Sequence, residues 1–266
     1  SDVYKRQELR YRDALLFWTG IAMLLALVIV TLLSISDARL ILGINPWIKP
    51  MKFLTSITLF LWSFAWFMPE TQDKPRQRRI VRWVAAGSMT IEIVCIILQA
   101  ARGTTSHFNN ATVFDGIIFG LMGLTIGINT AVVALFLFIL RRDTPPQRTG
   151  YIWGVRVGVA IFLLASLEGG LIVANNAHTV GAPDGGPGLP FLNWSTRYGD
   201  LRIAHFAGMH ALQALPLFGF LLDRMGNPFA AVSLRRNLVV GAGILWVAMV
   251  GGLLWMALNE LPLVAL

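Results

Sequence analysis

The sequence predicts an all-α, polytopic membrane protein with seven transmembrane helices. Two observations carry this. Hydrophobic residues make up 56% of the 266-residue chain and charged residues only 14%, where a soluble domain carries about 25%. The apolar residues also come in blocks of roughly 20, the length a helix needs to cross the hydrocarbon core. An ordinary soluble enzyme, a disordered chain and a coiled coil are excluded. The single cysteine, Cys95, lies inside an apolar block, so no intrachain disulfide can form.

The spans follow in order. Span one is expected over residues 14–33, and span two over 50–68, entered through Asn45-Pro46-Trp47. Span three runs from about 80 to 101, span four over 113–140 and span five over 150–174. Span six covers 203–222 and span seven 238–257. Seven spans leave no room for a second domain, so one transmembrane domain over 1–266 is expected. Residues 1–7 (Ser-Asp-Val-Tyr-Lys-Arg-Gln) resemble a translated sequencing adapter and are set aside. The first apolar block is long enough to span, so no cleavable signal peptide is read there.

Lys and Arg in the loops set the expected orientation. The loops on the N-terminal side hold 16 of the 22 basic residues and the opposite loops hold 6, Arg39, Lys49, Lys52, Arg102, Arg197 and Arg202. The expected protein is therefore multi-pass in a bacterial inner membrane, N-terminus cytoplasmic and C-terminus extracytoplasmic. The net charge of +8 becomes a topological signal read by anionic lipid, not a nucleic-acid footprint. Lipid bilayer is the expected partner.

This orientation puts all four histidines, His107, His178, His205 and His210, on the outer side, with Asp115 and Asp200 at the outer starts of spans four and six. Glu92 lies near the bilayer midplane and Glu168 slightly outward of it. An ionised carboxylate there costs about 2.5–3.5 kcal/mol on insertion scales, so such residues face the protein interior and are functional candidates. Gln99 lies seven residues beyond Glu92, about 10 Å up the same helix face, and Asn175 stands in the same relation to Glu168. Glu92, Glu168, Asp115 and Asp200 are the candidate proton-handling or catalytic groups. The competing reading makes the glutamates protonated interhelical contacts.

An internal parallel repeat is also legible. Glu92, Gln99, Ala101 and Arg102 are matched by Glu168, Asn175, Ala177 and His178, and residues 109–115 resemble 193–200. Helices three-four and five-six would then form a four-helix core related about an axis along the membrane normal. The Gly/Pro-rich segment 181–190 accounts for the different offsets, and the loop from His178 to Arg202 is expected to form an ordered lid.

Neutral imidazole is the commonest transition-metal ligand and also binds haem, so the four histidines are candidate ligands. His205 and His210 are five apart, about 140° around a regular helix and 7.5 Å along it, which suits separate partners better than one ion. Arg102 and Arg202, with Gln99 and Asn175, are candidates to hold an anionic small molecule such as a phosphate, a carboxylate or haem propionates. Anchoring of lipid headgroups is the alternative for the cations. A retinal protein is excluded by the absence of Lys from span seven, and there is no P-loop, Cys cluster or Gly-x-Ser-x-Gly run.

Residues 45–53 (Asn-Pro-Trp-Ile-Lys-Pro-Met-Lys-Phe), 99–109 (Gln-Ala-Ala-Arg-Gly-Thr-Thr-Ser-His-Phe-Asn) and 199–213 (Gly-Asp-Leu-Arg-Ile-Ala-His-Phe-Ala-Gly-Met-His-Ala-Leu-Gln) resemble a group of bacterial multi-pass membrane proteins. That likeness implies the membrane fold and no activity. The duplicated helix pairs with outer histidines are similar in layout to haem A synthase and cytochrome b561 bundles. This chain departs from them in having seven spans and no Glu-x-x-His-Arg motif. The seven spans, with His107, Asp115, His205 and His210 on one side, are similar to the alkaline ceramidase and progestin/adiponectin-receptor superfamily. The five-residue His spacing departs from that pattern. These resemblances imply a haem- or transition-metal-binding redox or metal-assisted enzyme, or a ceramidase-like zinc hydrolase. The alternative is a small transporter or lipid-binding protein with incidental histidines.

Overall fold

The computed structural model describes residues 8–71, 74–225 and 232–265; the adapter-like residues 1–7 lie outside the described residues. The chain is a polytopic, all-α membrane protein. Among the described residues, a short helix, Glu8–Arg12, is followed by seven helices long and apolar enough to cross a membrane: Ala14–Ser36, Ile48–Glu70, Pro75–Arg102, Val113–Ile139, Pro146–Asn175, Leu201–Met225 and Val232–Leu258. Each contains or closely overlaps a span expected from the sequence; several extend by one or two turns, where amphipathic ends continue the helix beyond the apolar block.

Local chemistry explains where the helices begin and end. Asp13 caps span one by accepting from the Leu16 amide at 3.1 Å. Span three opens with Pro75, whose missing N–H is harmless in the first turn. It closes on Gly103 at φ 75°, with the Gly103 amide donating to the Ala100 carbonyl and the Thr104 amide to the Gln99 carbonyl; this reversal requires the left-handed region that glycine tolerates. Thr112 and Asp115 form a reciprocal cap at the start of span four, the Asp115 amide donating to Thr112 Oγ1 at 3.1 Å while that hydroxyl donates to Asp115 Oδ2 at 2.6 Å.

The helices fall into two compact units, Ser1–Ile139 with spans one to four and Leu140–Leu266 with spans five to seven. In the first, Phe64 of span two and Phe136 of span four are fully buried and their rings lie 4.9 Å apart. Trp62 packs on Gly20 of span one and donates from Nε1 to the Phe17 carbonyl.

In the second unit, small residues bring spans five and six together. A Cβ on Gly150 would meet the Gly219 backbone, one on Gly154 the Leu215 carbonyl, and one on Gly158 the Ala211 carbonyl. Close backbone approach of this kind replaces hydrophobic driving force where lipid is already apolar. At one end of this interface Asp223 accepts from the Gly150 and Tyr151 amides at 2.9 and 2.8 Å, capping span five from span six. Arg235 of span seven lies 3.5 Å from the same carboxylate and donates to the Pro146 carbonyl. Asp223→Ala removes a charged cap that joins three helices. It is expected to cost about 1–2 kcal/mol, read as a lower thermal unfolding midpoint of the detergent-solubilised protein.

Candidate functional site

In the first unit the loop after span three folds back onto the helices that flank it. Asn109 holds it, donating from Nδ2 to Thr104 Oγ1 at 2.9 Å and to the Thr105 carbonyl at 3.0 Å, and Ser106 and Asn109 are buried. Irregular backbone is tolerated beside membrane helices where protein surrounds it. The reversal carries the His107 ring back toward the middle of span three, and its Nε2 lies 3.9 Å from Glu92 Oε1. Glu92 is 3% exposed, and its Oε2 has no hydrogen-bond partner among the described residues. Phe53, Phe108 and Phe119 surround the imidazole with ring centroids at 5.9, 6.1 and 6.1 Å. Lys49, at the start of span two, is close enough to Glu92 for their charges to interact, and its ammonium lies 5.9 Å from the Phe53 ring.

Two further polar contacts flank this pair along spans three and four. One turn before Glu92, Ser88 Oγ and the side-chain amide oxygen of Asn129 are 3.3 Å apart. Toward the end of span three, Gln99 Nε2 donates to Asp115 Oδ1 at 2.8 Å, and Arg102 contacts both Gln99 and Asp115 at 2.5 Å. Phe114 lies under the Arg102 guanidinium. Gln99, Arg102 and Asp115, read from the sequence as separate candidates, form one bracket that joins the end of span three to the start of span four.

The second unit arranges its candidates differently. Asp200, 1% exposed, takes a two-pronged contact from Arg202 and also accepts from the Ser195 amide at 2.8 Å. Arg202 reaches on to the Asn193 carbonyl. Asn175 closes span five, donating to the Ala177 and Thr179 carbonyls. Residues 179–180 pair antiparallel with 199–200. The expected ordered loop is present: it bridges Gly188 to Ser195 and rests against the end of span seven, Gly199 on Ala257 and Gly181, at φ 91°, on Glu260.

The loop's latch is Asp184, which the sequence reading did not single out. It accepts from the His178 and Thr179 amides and lies 2.5 Å from His178 Nδ1. Burial alone would raise this carboxyl. The hydrogen bond and charge of His178, with the two amides, outweigh burial and hold it well below the usual carboxylate range. A depressed folded value means the latch contributes fully above the unfolded carboxyl's value of about 3.9 and is lost as pH falls through the folded one. Asp184→Asn is expected to weaken the loop by about 1 kcal/mol at neutral pH, after discounting for solvent screening. Hydrogen exchange over residues 177–188 would read this as roughly fivefold faster, with wild-type protection falling only in strong acid.

His205 and His210 take separate partners. His205 Nδ1 lies 2.9 Å from the Ala165 carbonyl of span five, whereas His210 Nδ1 lies 3.2 Å from Gln213 and its ring packs on Phe206. Among the described residues no three His, Cys, Asp or Glu side chains come together to hold a metal ion. The metal-ligand reading of His107, His178, His205 and His210 therefore gains no support. No protein-family model matches the chain, and no curated protein or solved structure is significantly similar to it. The likenesses of layout noted in the sequence thus rest on helix number and histidine placement alone.

Proposed function

We propose that this polytopic membrane protein handles protons as part of a small transporter, with Glu92 and His107 as the exchanging pair. The observation that carries the proposal is the approach of His107 Nε2 to 3.9 Å from a membrane-embedded carboxylate whose other oxygen is buried without a partner. A shift of about 1 Å, or one bridging water, closes that gap. The step is then simple: the O–H bond of Glu92 breaks as an N–H bond forms at His107 Nε2. In the inner-membrane orientation that the basic loops favour, His107 lies toward the outer side.

A proton needs no cavity and no ligand cage, and that favours this reading over a metal or haem centre. The anion-holding role is disfavoured for a similar reason. Arg202 is committed to Asp200, and Arg102 bonds Asp115 and Gln99. The test is proton flux in proteoliposomes carrying a trapped pH dye, wild type against Glu92→Gln.

A further inference from the structure

The second unit contains a buried carboxylate that the Glu92–His107 pair does not use. Glu168 lies in span five, is 6% exposed, and its Oε1 has no hydrogen-bond partner among the described residues. An imidazole rests against the same turn of helix. His205 bonds the Ala165 carbonyl through Nδ1, and a Cβ on Gly169 would stand 3.3 Å from His205 Cε1. Glu168 stands on the same turn, three residues from Ala165 and next to Gly169, so a rotamer change of its three-torsion side chain is what would bring the carboxyl to the ring. The Ala165 carbonyl can only accept, so Nδ1 carries the ring proton and Nε2 presents its lone pair.

The loop offers the next titratable group. His178 lies close enough to His205 for their charges to interact, and Asp184 holds it in the ordered loop. The other charged or titratable groups toward this end of the unit are the Asp200–Arg202 bracket, Arg197 in the loop, His210 on span six and Glu260 against Gly181. Span seven contributes none between Asn237 and Asn259.

We propose that Glu168, His205 and His178 form a second proton relay, contained in the second unit and independent of Glu92 and His107. The O–H bond of Glu168 breaks as an N–H bond forms at His205 Nε2, leaving a carboxylate and an imidazolium. The Nδ1 proton stays on Nδ1, donated to the Ala165 carbonyl, so the transferred proton departs again from Nε2 and leaves toward His178. Gly169 is the positioning residue, because any side chain there presses on the ring.

The experiment is infrared difference spectroscopy of the full chain in lipid, titrated with pH, following the C=O stretch of protonated carboxylic acids. A wild-type band that titrates and is absent from Glu168→Gln is expected. In His205→Asn the amide still donates to the Ala165 carbonyl but no base remains, and the Glu168 band should shift its midpoint by about one pH unit, a tenfold change in proton affinity. Gly169→Ala should shift it in the same sense, which keeps the test usable if His205→Asn does not fold. His178→Gln should slow the band's response to a pH jump. A Glu168 band that never titrates, or one whose midpoint is the same in wild type, His205→Asn and Gly169→Ala, overturns the relay; an unchanged response in His178→Gln overturns its exit. Glu92→Gln should leave the Glu168 band in place, so failure at one pair is distinguishable from failure at the other.

Discussion

Gly154→Leu is expected to destabilise the second unit severely. A Cβ at this position would press on the Leu215 carbonyl and stand 2.7 Å from Pro216 Cα. Both obstacles are backbone, and neither can rotate away as a side chain would. Extra methylenes in a packed core cost about 1–3 kcal/mol, occasionally more. Here the whole contact between spans five and six must open, along with the Gly158–Ala211 and Gly150–Gly219 approaches on either side. A loss of about 3 kcal/mol or more is therefore expected, a large fraction of the roughly 5–15 kcal/mol that holds a typical domain folded. Gly87→Ala is the control: nothing lies within 4 Å of a Cβ there, and replacing a helical Gly by Ala in open space favours the helix by about 0.5–1 kcal/mol, so no loss is expected. Gel filtration and thermal unfolding in detergent read both. Gly154→Leu eluting and melting like the wild type would show that spans five and six are not held by backbone approach.

The helices were legible because membrane insertion acts on blocks of composition, and each apolar block had to become a helix to satisfy its backbone in lipid. The candidate site was legible only as residue types. Glu92, Gln99 and Asp115 stood out because polar groups inside spans are costly. Their partners depended on geometry that periodicity does not contain. A heptad projection carries the polar stripe upward from Glu92 to Gln99, whereas the contact that forms is with His107, fifteen residues on, because the loop reverses at Gly103 and is pinned by Asn109. The same limit applies at Asp184. The sequence marks its loop as ordered, but the latch requires His178 and Asp184 to meet across a six-residue turn. A histidine facing an Asp-Gly turn at that distance is a local signal that could have found it. Gly169 was invisible, since a glycine that clears space for an imidazole looks like any other helical glycine until the neighbouring helix is in place.

Glu92→Gln is expected to lower proton flux in proteoliposomes by about 10²-fold, the smaller end of what a positioned acid–base group contributes. The substitution is nearly isosteric and removes only the titrating oxygen, so span three should keep its packing; an unchanged thermal midpoint checks this. His107→Gln tests the other half of the pair. It leaves the acid but takes away its exchange partner, so flux should fall and should lose its pH dependence across the imidazole's ordinary working range, about pH 5–8. The two effects should not add, because one transfer needs both groups: the double variant should be no slower than Glu92→Gln within about twofold, whereas independent sites would multiply. A purely structural Glu92 predicts the opposite pattern, a lowered thermal midpoint with flux unchanged. If Glu92→Gln folds, inserts and passes protons at the wild-type rate, the pair is packing and the transport proposal fails, whatever happens at Glu168.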